Sequence, residues 1–415
     1  MQSVRFIGTN SPLNDIQTAT IQECQAYCES KTVLGVDTET EGFDFTCRKL
    51  IMFQIGDKDR QYVIDTRVVD ISPLREVLQS NSIVKVLHNA KFDYKFIKKW
   101  AGISLEEIYD TFLAERVINC GKQDYGYSLS RCVERYIGHT LDKETRNKFI
   151  GLKGQPFTVD QITYGANDVV YLLDIREKQL AKIHSLELQQ VTRLENAVVK
   201  VFSEIEYEGL NIDEDKWTAM AEQNVKLAYE QELKLDDIVL AHPLLQHYRV
   251  PVQVDMFAAM DEVRKTHIKW SSPLQILELF QHLVPNLEDV NGKKLNKHRY
   301  KHPLIDEYIR YKERTKLANA YGTKFFNYVN CDGKVHTNFS QILDTGRVSS
   351  SKPNMQQIPS DNTFRNCFTA PEGWVFVSSD YSSQELNVIA YGSQDPVWLE
   401  ALEKGLDLHG VCADL

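Results

Sequence analysis

No apolar run in this sequence approaches the ~20 residues that cross a bilayer, which excludes a transmembrane helix. Its start, Met1-Gln2-Ser3-Val4-Arg5-Phe6-Ile7, lacks the long apolar core of a secretory signal. The chain is therefore expected in a reducing cytoplasm, with its eight cysteines as thiols. Those cysteines are scattered, and although Cys24 and Cys28 lie one helical turn apart, no spacing makes a zinc pattern. Internal repeats and low-complexity tracts are absent. Positive charge is also scarce, 48 Lys and Arg against 58 Asp and Glu, and a net charge of −10 argues against a nucleic-acid partner, because neutralising phosphates takes cations. What remains, 42% hydrophobic and 26% charged over 415 residues, is an ordinary globular composition with enough chain for two or three domains.

Local charge tells a different story. Between Lys293 and Lys324 lie Lys294, Lys297, Arg299, Lys301, Arg310, Lys312, Arg314 and Lys316, opposed by Asp306, Glu307 and Glu313. A charge run alone reads as a solvated helix face. Here Tyr300, Tyr308, Tyr311 and Tyr321 are interleaved with it, and together with the motifs below they favour a nucleic-acid contact.

Periodicity divides the chain into three parts. Residues 1–190 alternate β-rich runs (Val33–Val36, Leu50–Ile55, Tyr62–Asp65, Ile83–His88) with helical stretches (Asp93–Trp100, Leu105–Asn119), an α/β pattern. Residues 191–330 are mostly helical, with Ser271-Ser272-Pro273 as a start and Gly209 and Gly322 as stops. Residues 331–415 begin at the turn Asn330-Cys331-Asp332-Gly333 and continue through Lys334–Asn338, a Gly/Ser/Pro/Asn-rich loop over 345–360 and an expected strand Trp374–Asp380.

Three acidic segments stand out. Val33-Leu34-Gly35-Val36-Asp37-Thr38-Glu39 ends an apolar strand in alternating acids, so both carboxylates leave from one face. Asp93 opens a helix after His88-Asn89-Ala90-Lys91-Phe92, and Tyr164 with Asp168 is an i, i+4 pair sharing a helix face. Brought together, these groups suit two divalent ions about 3.5–4 Å apart, which is what hydrolysing a phosphodiester needs. Carboxylate oxygens select Mg²⁺ or Mn²⁺. Each acid alone has a bland reading: a polar strand end, a helix-dipole acid, an exposed pair.

Val36-Asp37-Thr38-Glu39-Thr40-Glu41-Gly42-Phe43, His88-Asn89-Ala90-Lys91-Phe92-Asp93 and Tyr164-Gly165-Ala166-Asn167-Asp168 resemble the three motifs of the DEDDy 3′→5′ exonucleases. The specific likeness is to the proofreading region of family A DNA polymerases, the bacterial DNA polymerase I group with many phage replicases. The resemblance implies a ribonuclease H-like fold with Asp37, Glu39, Asp93 and Asp168 holding two Mg²⁺ or Mn²⁺ ions, Tyr164 orienting water, and Phe43 and Asn89 against the 3′-terminal nucleotides. Trp270–Leu277, His302–Ile305 and Tyr311–Leu317 resemble the family's thumb, with Arg310, Lys312, Arg314 and Lys316 on duplex backbone. Thr345-Gly346-Arg347-Val348-Ser349-Ser350 and Pro353–Pro359 resemble its minor-groove loop, which implies DNA contacts for Arg347, Asn354 and Gln356. Arg and Gln there test pairing geometry, since minor-groove acceptors occur on every base pair.

Ser378-Ser379-Asp380-Tyr381-Ser382-Ser383-Gln384-Glu385-Leu386 resembles the polymerase metal and nucleotide motif, implying Asp380 as metal ligand, Tyr381 at the nucleotide and Glu385 as the steric gate against a ribose. Ser383, Gln384 and Asn387 depart from the usual Gln, Ile and Arg. The triphosphate-binding fingers helix and the second catalytic Asp do not occur, so these residues alone are not expected to polymerise. Either the sequence is cut from a longer chain or the gene is split; if split, a second polypeptide carrying fingers and the remaining palm is the expected partner, meeting an edge that exposes Val388, Ile389 and Trp398. The expectation is thus an α/β exonuclease, a mostly helical thumb and an incomplete α+β palm, acting on primer–template DNA and single-stranded 3′ ends, away from membranes. The lack of room for a 5′-nuclease region ahead of Asp37 suits a phage replicase working in a bacterial cytoplasm. The alternatives are a stand-alone nuclease that trims RNA or repairs DNA ends, and a non-catalytic DNA-binding assembly subunit.

Overall fold

In the computed structural model, residues 3–9, 16–122, 125–141, 149, 152, 154–250 and 266–414 are described. The chain divides into two compact units, through Phe368 and from Thr369 onward. The first is organised by a seven-stranded sheet: β1 (Val4–Ile7), β2 (Gln17–Thr18), β3 (Val33–Thr40), β4 (Leu50–Gly56), β5 (Gln61–Asp65), β6 (Val84–Leu87) and β7 (Ile108–Asp110), in the order β2-β1-β5-β4-β3-β6-β7. β4 runs antiparallel to β3 and β5, while β6 and β7 continue the sheet in parallel. Every residue of β4 is buried, because helices cover both faces.

Strand alternation decides which helix each residue meets. Met52 and Val63 pack with Ile162 and Ala166 of the Val159–Ser185 helix. Phe53, Ile55, Leu34 and Val36 face the other way, toward Tyr94, Phe96 and Ile97 of the Lys91–Ala101 helix. The Val159–Ser185 helix is started by a capping box in which Thr158 and Gln161 satisfy each other's backbone N–H groups. It then presses so closely on β3 that a Cβ on Gly35 would lie 2.6 Å from the Val169 carbonyl oxygen. Only glycine leaves room for that approach.

Two expectations fail in the sheet and the cysteines. The stretch expected as helix over Leu105–Asn119 is strand β7 followed by the helix Thr111–Ile118. Asp110 separates them by accepting from the Phe112 N–H as N-cap, while Lys85, Val86 and Leu87 of β6 pair with Ile108, Tyr109 and Asp110. Nor are all the cysteines thiols: Cys47 and Cys331 form a disulfide, Cα atoms 5.9 Å apart, because the β3–β4 loop folds against the 330–333 turn. Asp44 docks the same pair of loops by accepting from Asn330 Nδ2 at 2.9 Å.

Beyond the sheet come the helices Gln189–Glu208, Glu214–Ala241, Pro273–Gln281, Gly292–Asn296 and Pro303–Ala320. Gly209 ends the first at φ +60°, and Pro273 begins the third. The Glu214–Ala241 and Pro303–Ala320 helices pack on one another around Leu235, Trp270, Phe280, Tyr308 and Tyr311. Tyr308 and Tyr311, expected at a nucleic-acid surface, are therefore core residues: the helical period turns them inward while Tyr300 stays exposed. A short hairpin, Asn338–Ser340 with Ser349–Ser351, follows.

The second unit holds the helices Gln384–Ser393, Pro396–Glu403 and Leu408–Asp414. The expected strand Trp374–Asp380 is not a strand. It has the apolar, β-branched run of a strand, yet among the described residues no other strand pairs with it, and a strand is completed only by a neighbour's N–H and C=O groups. Val388 and Ile389 are exposed as expected, whereas Trp398 is half-buried. Among the described residues no helix is long and apolar enough to cross a membrane.

Candidate active site and nucleic-acid surface

Oxygen atoms of Asp37, Glu39 and Asp168 lie within 4.8 Å of one another. The first two leave β3 on the face toward the Val159–Ser185 helix, and Asp168 meets them from the turn of that helix adjoining Val169, which packs on Gly35. Tyr164, one turn earlier on the same helix, packs against Phe149 with ring centroids 6.1 Å apart.

Asp93 is not one of the three. It comes from the helix on the opposite face and accepts from Thr38 Oγ1 at 2.5 Å, the residue between the two strand acids. Burial and the Asp37 charge push its carboxyl well above the usual carboxylate range. Such crowding of buried acids is relieved by a cation, and an all-carboxylate donor set suits a hard divalent ion.

Two residues near the site were missed in the sequence. Gln54 faces Asp37 across the β3–β4 ladder, is fully buried, and neither polar atom of its amide has a partner among the described residues. A Cβ on Gly165 would lie 2.6 Å from Gln54 Nε2, so the amide is wedged between strand and helix beside the acids. The one clue was a glutamine inside an otherwise apolar run. An unpartnered polar group there is costly unless water or a ligand completes it, which fits an ion site.

The other is Asp110. Buried, with its carboxyl pushed up by that burial, it accepts from the backbone N–H groups of Asn89 and Ala90 at 2.8 and 2.9 Å. These bonds hold the turn that launches the Asp93 helix, where Asn89 is exposed at φ +62°. Phe43 is 77% exposed on the β3–β4 loop with its ring edge toward Phe92.

A buried ion cluster braces the Asp93 helix from behind. Glu206, with no exposed surface, accepts from Lys91 and Lys95 and from the Phe339 N–H at 2.7 Å, while Lys91 also donates to the Phe339 carbonyl. Charge balance and backbone bonds thus tie the first turn of that helix to the Asn338–Ser340 strand.

The remaining expected residues are spread over the surface. Arg310, Lys312 and Lys316 are exposed and Arg314 half-buried on the Pro303–Ala320 helix. Arg310 pairs with Asp306 at 2.9 Å, and Lys312 donates to the Val290 carbonyl at 3.1 Å, so part of the basic stretch is neutralised within the fold. Arg347 and Asn354 are exposed; Gln356 spends its amide on Ser350 N–H and the Val348 carbonyl. In the second unit Asp380, Tyr381 and Glu385 are exposed, and among the described residues no cluster of metal-ligating groups includes Asp380.

Comparison with known proteins matches residues 15–183 to the 3′-5′ exonuclease family and residues 254–415 to DNA polymerase family A. DNA polymerase I of Aquifex aeolicus is 27% identical over 93% of this chain and 64% of its own length, and that of Treponema pallidum 27% over 94% and 39%. A 114-residue stretch is 41% identical to the thermostable DNA polymerase I of Thermus thermophilus, 26% of this chain. The chain spans less than two thirds of these relatives' lengths. The solved POL domain of Pol1 from M. smegmatis, in complex with DNA primer-template and dNTP, shares the fold with a TM-score of 0.70 at 22% identity, over 97% of this chain and 65% of that one.

Proposed function

The chain belongs to the family A DNA polymerases and carries their 3′–5′ exonuclease region, and from that premise we propose that it binds primer–template DNA and removes nucleotides from 3′ ends. The convergence of Asp37, Glu39 and Asp168 carries the reading. With Asp93 they would hold two divalent ions, Mg²⁺ or Mn²⁺. Bound there, such ions supply an activated water and relieve charge on the leaving oxygen. Tyr164 orients the attacking water from one turn before Asp168. Phe43 and Asn89, both exposed beside the acids' loops, hold the terminal nucleotides. Buried Gln54 fixes the solvent that completes the site.

The Pro303–Ala320 helix serves as part of a thumb, its exposed cations on phosphates, and Arg347, Asn354 and Gln356 line the minor groove. Asp380, Tyr381 and Glu385 belong to the nucleotide site. One carboxylate cannot organise phosphoryl transfer, so polymerisation requires the remaining palm and fingers, on further residues of the same chain or on a second polypeptide. The domain division that goes with this reading is 1–190, 191–330 and 331–415, and the setting is DNA replication.

The test is a 5′-labelled primer–template with Mg²⁺, with and without four deoxynucleotides, beside the Asp37→Ala/Glu39→Ala variant. Stepwise 3′ shortening that the variant lacks is expected. Shortening by the variant as well would sink the assignment, and equal activity on RNA ends would favour the stand-alone nuclease.

A further inference from the structure

Away from the acid cluster, a cavity of about 470 Å³ lies between edge strand β7, the far half of the Val159–Ser185 helix and the Gln189–Glu208 helix. Small-molecule sites run about 300–1,000 Å³. Ile108, Leu180 and Ile183 supply apolar wall. Into it comes Arg176, whose buried Nε has no hydrogen-bond partner among the described residues.

The acids flanking Arg176 on its own helix do not serve it. Asp174 and Glu177 both bind Lys58, at 2.6 and 2.9 Å. Lys200, across the cavity, is matched by Glu106. Arg176 is left with the face of Tyr109, 5.3 Å from its ring centroid, and burial lowers its affinity for the proton. Arg193 stands exposed on the facing helix, where among the described residues no carboxylate pairs with it. A half-buried cation without an anion is unfavourable, and a guanidinium fork matches phosphate oxygens.

We propose that this cavity binds a small phosphomonoester of nucleoside monophosphate size, its phosphate on Arg176 and Arg193 and its apolar body against Ile108, Leu180 and Ile183. None of the acids of the exonuclease cluster lines the cavity, so the site is separate from that chemistry.

Calorimetric titration of deoxyadenosine monophosphate into the full chain tests it, using the Asp37→Ala/Glu39→Ala variant in EDTA so that binding at the acid cluster does not contribute. Saturable binding is expected, weakened about tenfold or more by Arg176→Gln, which removes a charge-assisted hydrogen bond. Leu180→Trp fills the cavity from the partly exposed helix side and is expected to weaken binding too, which guards against a folding defect in the arginine variant. Deoxyadenosine should not bind, and inorganic phosphate should bind more weakly than the nucleotide. Absence of binding at about 10 mM, a weakness that corresponds to under 3 kcal/mol, would overturn the proposal. So would indifference to both substitutions, or equal affinity for phosphate or deoxyadenosine.

Discussion

Two segments of this chain have the same local design, an apolar run ending in an acid, and meet opposite fates. Val33–Val36 leads to Asp37 and is paired on both sides, by β4 and β6, under a helix that brings Asp168. Trp374–Val377 leads to Asp380, yet Trp374, Val375 and Val377 are 75%, 81% and 88% exposed and no described strand pairs with them. The difference teaches that an apolar run nominates a strand but neighbours make one. A carboxylate becomes part of a site when covering elements remove it from water and crowd it with others.

The strongest way to break that comparison is Asp168→Asn set against Asp380→Ala. The first should cut exonuclease turnover by about 10²-fold or more, the equivalent of roughly 3 kcal/mol of transition-state stabilisation, and the second should leave it unchanged. Equal losses in single-turnover assays would mean that the two acids are not functionally distinct.

Next comes the brace behind Asp93. Glu206→Ala leaves Lys91 and Lys95 facing a buried gap, and chemical denaturation should show a loss of about 3 kcal/mol. A loss below about 1 kcal/mol would show that water substitutes for the carboxylate.

Lys85 sharpens the paired side of the comparison through pH. It lies fully buried on β6, donates to the Ser80 carbonyl at 2.6 Å, and desolvation lowers its pKa from 10.5 to about 8. Because the unfolded chain binds the proton more tightly, the penalty is fully present below pH 8 and is relieved as pH rises from 8 toward 10.5. Lys85→Met should therefore raise stability at pH 7 by on the order of 2 kcal/mol and flatten its rise across that window, as Tm against pH would record. An unchanged slope would mean that the ammonium reaches solvent.

The smallest effect is the most direct contrast. Val36→Thr buries a hydroxyl in a packed strand and should cost about 1–3 kcal/mol, while Val377→Thr should stay within about 0.5 kcal/mol. Comparable costs in thermal unfolding would show that the Trp374 segment is covered in solution.

Much of the site was legible. Asp37 and Glu39 announce themselves by an i, i+2 step at the end of a β-branched run, and Tyr164 with Asp168 by an i, i+4 step, because strand and helix periods are local properties. Asp110, Gln54 and Glu206 were not legible, since each matters through a residue far along the chain: Asn89, Asp37 and Lys91. The Leu105–Asn119 stretch misled because an N-cap inside an apolar run divides a strand from a helix with no change in hydrophobicity. Tyr308 and Tyr311 misled in another way, since proximity in sequence to Lys and Arg says nothing about which side of a helix they share.

By itself the sequence determined most of the elements, apart from Leu105–Asn119 and Trp374–Asp380, together with the acids and the likeness to a polymerase family, because these rest on short-range spacing. Tertiary structure alone decided that three acids converge while Asp380 stands exposed, that Cys47 meets Cys331 and that the buried Arg176 Nε finds no acceptor among the described residues. Those outcomes depend on which backbone lies alongside, and burial makes a neighbour's charge or hydrogen bond the strongest influence on a side chain.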